Sequence, residues 1–330
     1  MTFRLSFILP CYNVERYIAD CLNSIYAQGL LESEFEVICV NDCSTDGTRN
    51  IILEYSKVHD NLFLIDHTRN LTAGGARNTG IDNAKGEYIW FVDPDDMVKA
   101  NMAEPLYEKA STNNLDILFF NNDIVDEHLS YLKTENVFVD TETLSGQDYM
   151  VRYFRNQISK LCIVWRCMIR TTFLKNNVLS FPHMRKAEDV AFLWKATSLA
   201  SSVASVKDVG YVYRSNPYSV ANKTPSASVL FSERALFANE ILDLLNDTEI
   251  EIQQPIRDEM QRALVWCVNS CIDRLSKMPL DKQARFYDEI VSHKIIVNRL
   301  KPFMNRKYKL FFSTFGGKWF WMRKTQWLCR

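Results

Sequence analysis

Gly86-Glu87-Tyr88-Ile89-Trp90-Phe91-Val92-Asp93-Pro94-Asp95-Asp96 is the stretch from which the rest of the chain can be read. Tyr88 to Val92 is short and wholly apolar. That predicts a strand buried on both faces, as in a parallel sheet. Pro94 cannot donate to a sheet ladder, so the strand stops there, among three carboxylates. Those acids then lie at the carboxyl end of a central strand, where open α/β sheets take their ligands. Asp93 and Asp95, one residue apart, suit a hard divalent cation. Mn²⁺ or Mg²⁺ takes oxygen ligands and shares its remaining positions between water and a ligand's phosphates. The other reading is a strand end closed by solvated acids, with Asp96 as a helix N-cap.

Upstream, Leu5 to Leu9 reads as a strand closed by Pro10. Val14 to Gln28 has helical spacing, with Ile18, Cys21, Leu22 and Ile25 on one face and Asn13 as N-cap. Phe35 to Val40 is a second strand. The polar turn Asn41 to Gly47 leads into a helix from Thr48 to about His59. Leu62 to Ile65 is a third strand, and Arg69 to Asn78 opens a helix running to about Ala84. Strands alternating with helices predict βαβ units, right-handed crossovers and a mostly parallel sheet covered on both faces. Every polar turn here follows a strand: Cys11 to Asn13, Asp42 to Gly47, His67 to Gly75 and Asp93 to Asp96. All four should line one edge of the sheet.

Downstream of Met97 the regularity weakens. Leu115 to Phe120 and Leu161 to Ile169 are strand candidates for a smaller mixed sheet. Ser145 to Asp148 resembles a capping box before a helix from Tyr149 to Phe154. Phe181 to Ala187 is a loop, Val190 to Leu199 a helix, and Val203 to Tyr213 is extended. A boundary is expected at 216–225, where Asn, Pro, Ser and Lys cluster. The domains are then 1–215, with halves 1–100 and 101–215, and a helical region 216–330. In the latter, Leu230 to Leu245 and Ile256 to Leu275 carry apolar stripes, and Trp266 and Cys267 are expected in the core.

The chain has 330 residues, 47% hydrophobic and 24% charged, which permits a large core. Nine cysteines, with no CxxC and mostly in apolar segments, read as buried thiols and point to a reducing, cytoplasmic setting. The run Leu5 to Leu9 is too short for a signal peptide, and no stretch is long enough for a transmembrane helix. Ile290 to Arg330 contains ten basic residues and no acid. Removing its +10 from the net charge of −1 leaves −11 on Met1 to Glu289. This tail alternates its cations with Phe311, Phe312, Phe315, Trp319, Phe320, Trp321 and Trp327. Such a mixture fits an anionic membrane interface, or a basic tail whose aromatics pack on the body. With no nucleic-acid module present, nucleic acid is not expected as a partner.

Asp42 and Asp46 flank a turn where a carboxylate can accept from a base N–H or a ribose hydroxyl, and Tyr12 could stack on a base. They could equally be helix caps. Gly74-Gly75 would let the backbone approach a ligand, with Arg77 adding a forked donor for phosphate. Neither a Walker loop nor a GxGxxG fingerprint is present. Glu188-Asp189 is either a solvated helix start or the seat of a general base.

Four ordered motifs carry a resemblance: Ile8 to Glu15, Val40 to Thr48, Gly75 to Gly80, and Phe91 to Asp96, with Glu188 to Phe192 as a weaker fifth. Over Leu5 to Tyr213 the chain resembles a family 2 glycosyltransferase of the type that builds bacterial surface polysaccharides. The resemblance implies a GT-A fold and inverting transfer from a nucleotide sugar, with UDP the expected nucleotide, to a glycan or lipid-linked sugar. It implies that Pro10, Tyr12, Glu15, Asp42, Asp46, Arg77 and Asp93 hold the donor. Asp95, with Asp93, would hold Mn²⁺ or Mg²⁺, and Asp189 would be the catalytic base. Cys43 stands where the family commonly has Gly, and Ala73-Gly74-Gly75 is an unusual form of its loop. A sugar nucleotidyltransferase is the alternative enzyme, but Cys11 to Glu15 is not its Gly-rich basic loop. A non-catalytic sugar-nucleotide or glycan-binding protein would tolerate loss of the acids this chain keeps. The tail would place the enzyme on the cytoplasmic membrane face.

Overall fold

A computed structural model describes residues 3–154, 163–215, 227–276 and Arg299. The first four strands are β1 (Leu5–Cys11), β2 (Phe35–Asn41), β3 (Leu62–Asp66) and β4 (Tyr88–Phe91). They are parallel and ordered β3-β2-β1-β4. β1, β2 and β4 are buried along their whole length, which is why their sequences are almost continuously apolar. The crossover helices are α1 (Ile18–Tyr26), α2 (Thr48–Ser56) and α3 (Thr72–Asn83). One face of the sheet carries an aromatic core in which Phe7 packs on Phe35 and Trp90, and Trp90 on Phe120. Fully burying each such ring contributes about 1.5–3 kcal/mol.

Chain order reverses at β1, which leads through α1 to β2 on one side and has β4 on the other. That is the switch point where a crevice opens at the strand ends. Pro10 shapes it in an unexpected way. It does not end β1, which continues to Cys11 beside Asn41 of β2. Instead the β1–β4 pairing stops at Ile8 and Phe91, with a last hydrogen bond from Val92 N–H to the Ile8 carbonyl. Pro10 points to the same side as Ile8, so the missing N–H falls where the next rung to β4 would be.

The mixed half continues the same sheet. It comprises β5 (Met97–Val98), β6 (Ile117–Val125), β7 (Tyr131–Glu135), β8 (Cys167–Arg170) and β9 (Val203–Arg214). β8 lies antiparallel between β4 and β6, β9 is parallel to β6, and β5 is antiparallel to β9. β7 pairs with β6. Helices α4 (Ala103–Thr112), α5 (Gly146–Phe154), α6 (Thr171–Asn176) and α7 (Glu188–Leu199) complete this half. Ser145 Oγ accepts from Asp148 N–H at 3.1 Å, the expected cap of α5.

Two expected caps are absent. α1 begins at Ile18 and not at Val14. Asn13 ties one loop to another: its Oδ1 accepts from Thr45 N–H at 2.8 Å. No helix starts at Asp96, which leads into β5.

The chain divides into two compact units, Met1–Ser219 and Val220–Arg330. In the second, α8 (Ala227–Asn246) and α9 (Gln254–Ser276) pack together. Cys267 is buried as expected, but Trp266 is 59% exposed, with the Arg234 guanidinium 4.6 Å from its ring centroid. The expected boundary at 216–225, residues 161–162 of one strand candidate, and the basic tail except Arg299 lie outside the described residues. Among the described residues, no helix is long and apolar enough to cross a membrane.

Candidate active site

Because β1 to β4 run parallel, the turns that follow them meet at one edge. The first two are laced together. Asn13 N–H donates to Ser44 Oγ, Val14 N–H to Thr48 Oγ1 and Glu15 N–H to Asp46 Oδ2. In return the Glu15 carboxylate accepts from Gly47 N–H at 2.5 Å. Burial works against the charge on Asp46, but the Thr48 hydroxyl and the Thr48 and Glu15 N–H groups win. Its carboxyl is held below the usual range. Glu15 and Asp46 are thus the cross-ties of a rim on which Tyr12 stands half exposed.

Asp42 reaches the other way. Its Oδ1 binds His67 Nδ1 and Leu71 N–H, both at 2.7 Å, and its carbonyl accepts from Asn70. His67 Nε2 lies 2.9 Å from Thr79 Oγ1 on α3. This buried chain fixes the β3–α3 turn to the end of β2. Cys43 adopts φ +62°, the left-handed region that favours glycine. Its Sγ lies 3.1 Å from the His67 carbonyl.

Arg77 is the hub. Its side chain is only 6% exposed; Nη2 donates to Asp93 Oδ1 at 2.8 Å and Nη1 to Glu188 Oε1 at 2.9 Å. Desolvation opposes its charge, but Asp93, Glu188 and Asp189 outweigh that and keep it protonated. Both terminal nitrogens are engaged by carboxylates, so the fork is turned to Asp93 and Glu188, with Nε enclosed and unbonded. It joins the end of β4 to the first turn of α7 across 111 residues of sequence.

The acids after β4 divide into two kinds. Asp96 is buried: Tyr211 Oη donates to its Oδ2 and Arg214 N–H to its Oδ1. Burial, then Asp95 and Asp93, push its carboxyl well above the usual range. Asp93 N–H donates to the same Tyr211 oxygen, and Asp96 N–H closes the turn on the Asp93 carbonyl. Asp95 makes no ion pair among the described residues. Burial, then the neighbouring Asp93, raise its carboxyl to about 6. A carboxylate pressed up by a second one and lacking an ion-pair partner is the electrostatic setting that a divalent ion relieves. Among the described residues no three His, Cys, Asp or Glu side chains cluster as a complete metal cage. Mn²⁺ or Mg²⁺ takes one or two carboxylates and leaves the other positions to water and phosphate. Asp95 and Asp93 could hold it.

Asp189 stands beside Glu188 at the start of α7. Burial, then Glu188, raise its carboxyl to about 7 against the opposing charge of Arg77. The loop before it is pinned to α3: Asn78 Nδ2 donates to the Phe181 carbonyl and Phe181 N–H to Asn78 Oδ1. Gly74 permits this approach, since a Cβ there would lie 3.2 Å from Phe181 Cβ and from the Pro182 carbonyl, and 3.4 Å from Glu188 Cγ. The close approach expected at Gly74-Gly75 is therefore made by the protein's own loop.

Sequence reasoning did not single out Glu188 as Arg77's partner, nor His67, Tyr211 or Arg214. Tyr211, Tyr213 and Arg214 end a strand, which was the available signal.

The sequence matches the family model described as "Glycosyl transferase family 2" over residues 6–175. It is 33% identical over 222 residues to the uncharacterized glycosyltransferase EpsJ of Bacillus subtilis, covering 66% of this chain and 62% of that one. It is 32% identical over 219 residues to a poly(ribitol-phosphate) beta-glucosyltransferase of Bacillus spizizenii, covering 64% of this chain and 32% of that one. The chain thus spans less than two thirds of either relative. The crystal structure of Staphylococcus aureus TarS 1–349 with UDP-GlcNAc superposes with a TM-score of 0.70 at 22% identity, covering 99% of this chain and 90% of that one. The likeness to TarS shows a shared GT-A fold, and the match across 6–175 makes this chain a member of glycosyl transferase family 2.

Proposed function

We propose that this chain is an inverting, divalent-metal-dependent glycosyltransferase. It moves a hexosyl or N-acetylhexosaminyl group from a UDP-sugar to a hydroxyl of a glycan or lipid-linked sugar, in surface-polysaccharide synthesis. The observation that carries the reading is the double grip of Arg77 on Asp93 and Glu188. It ties Asp93, one of the pair that would bind the cation, to the helix start that carries Asp189. The relatives' names support the sugar class: one is a beta-glucosyltransferase, and TarS was solved with UDP-GlcNAc.

In this reading Tyr12 stacks on the nucleobase, and Pro10, Glu15, Asp42 and Asp46 shape the crevice around the nucleoside. Asp95 and Asp93 bind Mn²⁺ or Mg²⁺, whose charge, when bound, stabilises the departing diphosphate. Arg77 acts by holding Asp93 and Glu188 in place. Asp189 takes the proton of the acceptor hydroxyl, and a pKa near 7 matches that task at neutral pH. Attack opposite the leaving group inverts the anomeric carbon. One base suffices, because a diphosphate leaves without needing a proton. The pinned loop 181–187 keeps water from the reacting carbon.

The test is nucleotide release from a panel of sugar nucleotides with and without Mn²⁺. Metal-dependent release is expected. Asp95→Ala should lose metal-dependent donor binding. Asp189→Asn should keep donor binding and lower kcat by about 10²–10⁴. A normal rate in Asp189→Asn would refute the base, and no release from any donor would refute the function.

A further inference from the structure

We propose that Arg214 is the cation that meets the diphosphate of the nucleotide. This rests on the function proposed above and adds a residue to it. With Arg77 held by two carboxylates, the strand-end acids leave the phosphates without a free guanidinium from that side.

Arg214 closes β9 and reaches the same edge. Its backbone N–H donates to Asp96 Oδ1 at 2.7 Å, which ties it to the turn that carries Asp93 and Asp95. Its guanidinium packs 5.1 Å from the Tyr17 ring centroid, at the end of the turn that follows β1. The side chain is 4% exposed, so its direction is set by packing. Nη2 is held by Asp20 Oδ2 at 2.8 Å. The other donors are unmatched. Nε is enclosed without a hydrogen-bond partner. Nη1 has no partner among the described residues and, unlike Nε, is not enclosed.

A guanidinium is always charged and its planar fork fits phosphate oxygens. Nη1, held in direction by packing yet open to solvent, is the donor a phosphate oxygen can reach, displacing only water. The bond from Arg214 N–H to Asp96 sets Arg214 against the residue next to Asp95. A phosphate oxygen beside Asp95 would therefore meet this cation as well as any ion held by Asp95 and Asp93. Asp20, 45% exposed, anchors one nitrogen while the other stays available.

The experiment compares the full-length wild type with Arg214→Gln and Arg214→Lys. For each, calorimetry with Mn²⁺ present measures affinity for whichever of UDP, GDP and dTDP the wild type binds best, and for the matching nucleoside. Arg214→Gln should weaken the diphosphate roughly ten- to a hundredfold, the range of a lost charge-assisted hydrogen bond. Nucleoside affinity should stay within about twofold, which also reports a folded site, and Arg214→Lys should recover part of the loss. Equal diphosphate affinity in wild type and Arg214→Gln would overturn the assignment. So would a parallel loss of diphosphate and nucleoside, because that would mean Arg214 only supports the fold. If the wild type binds none of the three diphosphates, the proposed function fails before Arg214 is in question.

Discussion

At the scale of single residues, the site combines backbone strain with charge held away from water. Asn13, Cys43, Thr72 and Ala187 all have positive φ, and all four lie in the turns that converge on the acids. Strain of this kind persists where surrounding bonds over-determine the backbone. For Cys43, whose φ is +62°, the left-handed conformation costs about 1–2 kcal/mol relative to glycine. Cys43→Gly should therefore raise stability to chemical denaturation, by about 0.5–1 kcal/mol once the greater freedom of unfolded glycine is subtracted. Asp189 illustrates the second feature. Its carboxyl ionises near 7 in the folded protein and near 3.8 in the unfolded chain. The folded state thus holds the proton more tightly, and the stability this gives is lost as pH rises through about 7. The deprotonated form is the base, so kcat should climb with pH through about 7 and then level off. Asp189→Asn should abolish that limb. At pH 8 it should also unfold at higher denaturant than wild type, by on the order of 2 kcal/mol, since an ill-solvated charge is gone.

Among elements, the decisive contact is α3 against the loop that leads into α7. Gly74→Ala would set a Cβ against Phe181 Cβ, the Pro182 carbonyl and Glu188 Cγ at 3.2–3.4 Å. We expect about 1–3 kcal/mol of destabilisation by overpacking and a lower kcat, because Glu188 and its neighbour Asp189 must shift. Donor affinity should change less, since the three atoms nearest that Cβ all belong to Phe181, Pro182 and Glu188 and none to the β1 and β2 turns. Arg77→Lys tests the same joint: one ammonium cannot hold both carboxylates in the fork's geometry, and breaking a buried pair costs about 3–5 kcal/mol in equilibrium unfolding. These elements also mark what the sequence could tell. β1, β2 and β4 were legible because strands buried on both faces are almost continuously apolar, and β3, only partly buried, because its short apolar run also ends in polar residues. β7 was not, because Tyr131 to Glu135 forms an edge with no buried face, and β5 has only two residues. The insertion of β8 between β4 and β6 reverses strand direction, and local patterning carries no record of direction. The acids Asp93, Asp95 and Asp189 were legible as motifs. Arg77's partners were not, since Glu188 is 111 residues away and the pairing exists only once α7 docks on α3. Asp96 resembled a cap until Tyr211, 115 residues on, claimed its carboxylate.

For the molecule as a whole, charge is divided sharply along the chain. Met1 to Glu289 carries a net −11 and Ile290 to Arg330 a net +10. An anionic bilayer repels the first and attracts the second, so any surface binding must be driven by the tail. Near such a surface each Lys or Arg contributes about 1 kcal/mol, and the effect fades beyond a Debye length of about 8–10 Å. At that rate about eight of the ten cations acting together would give micromolar association, and the Trp and Phe residues between them would add interfacial partitioning. If the acceptor is lipid-linked, docking raises its local concentration and confines the search to two dimensions. Full-length protein should then sediment with vesicles rich in anionic lipid, release as salt is raised, and ignore neutral vesicles. Truncation after Glu289 should abolish sedimentation while leaving nucleotide release from the free donor intact, because Asp93, Asp95 and Asp189 all precede the cut. Unchanged sedimentation of the truncated protein would show that the tail is not the docking segment, and unchanged binding in high salt would show that charge does not drive it.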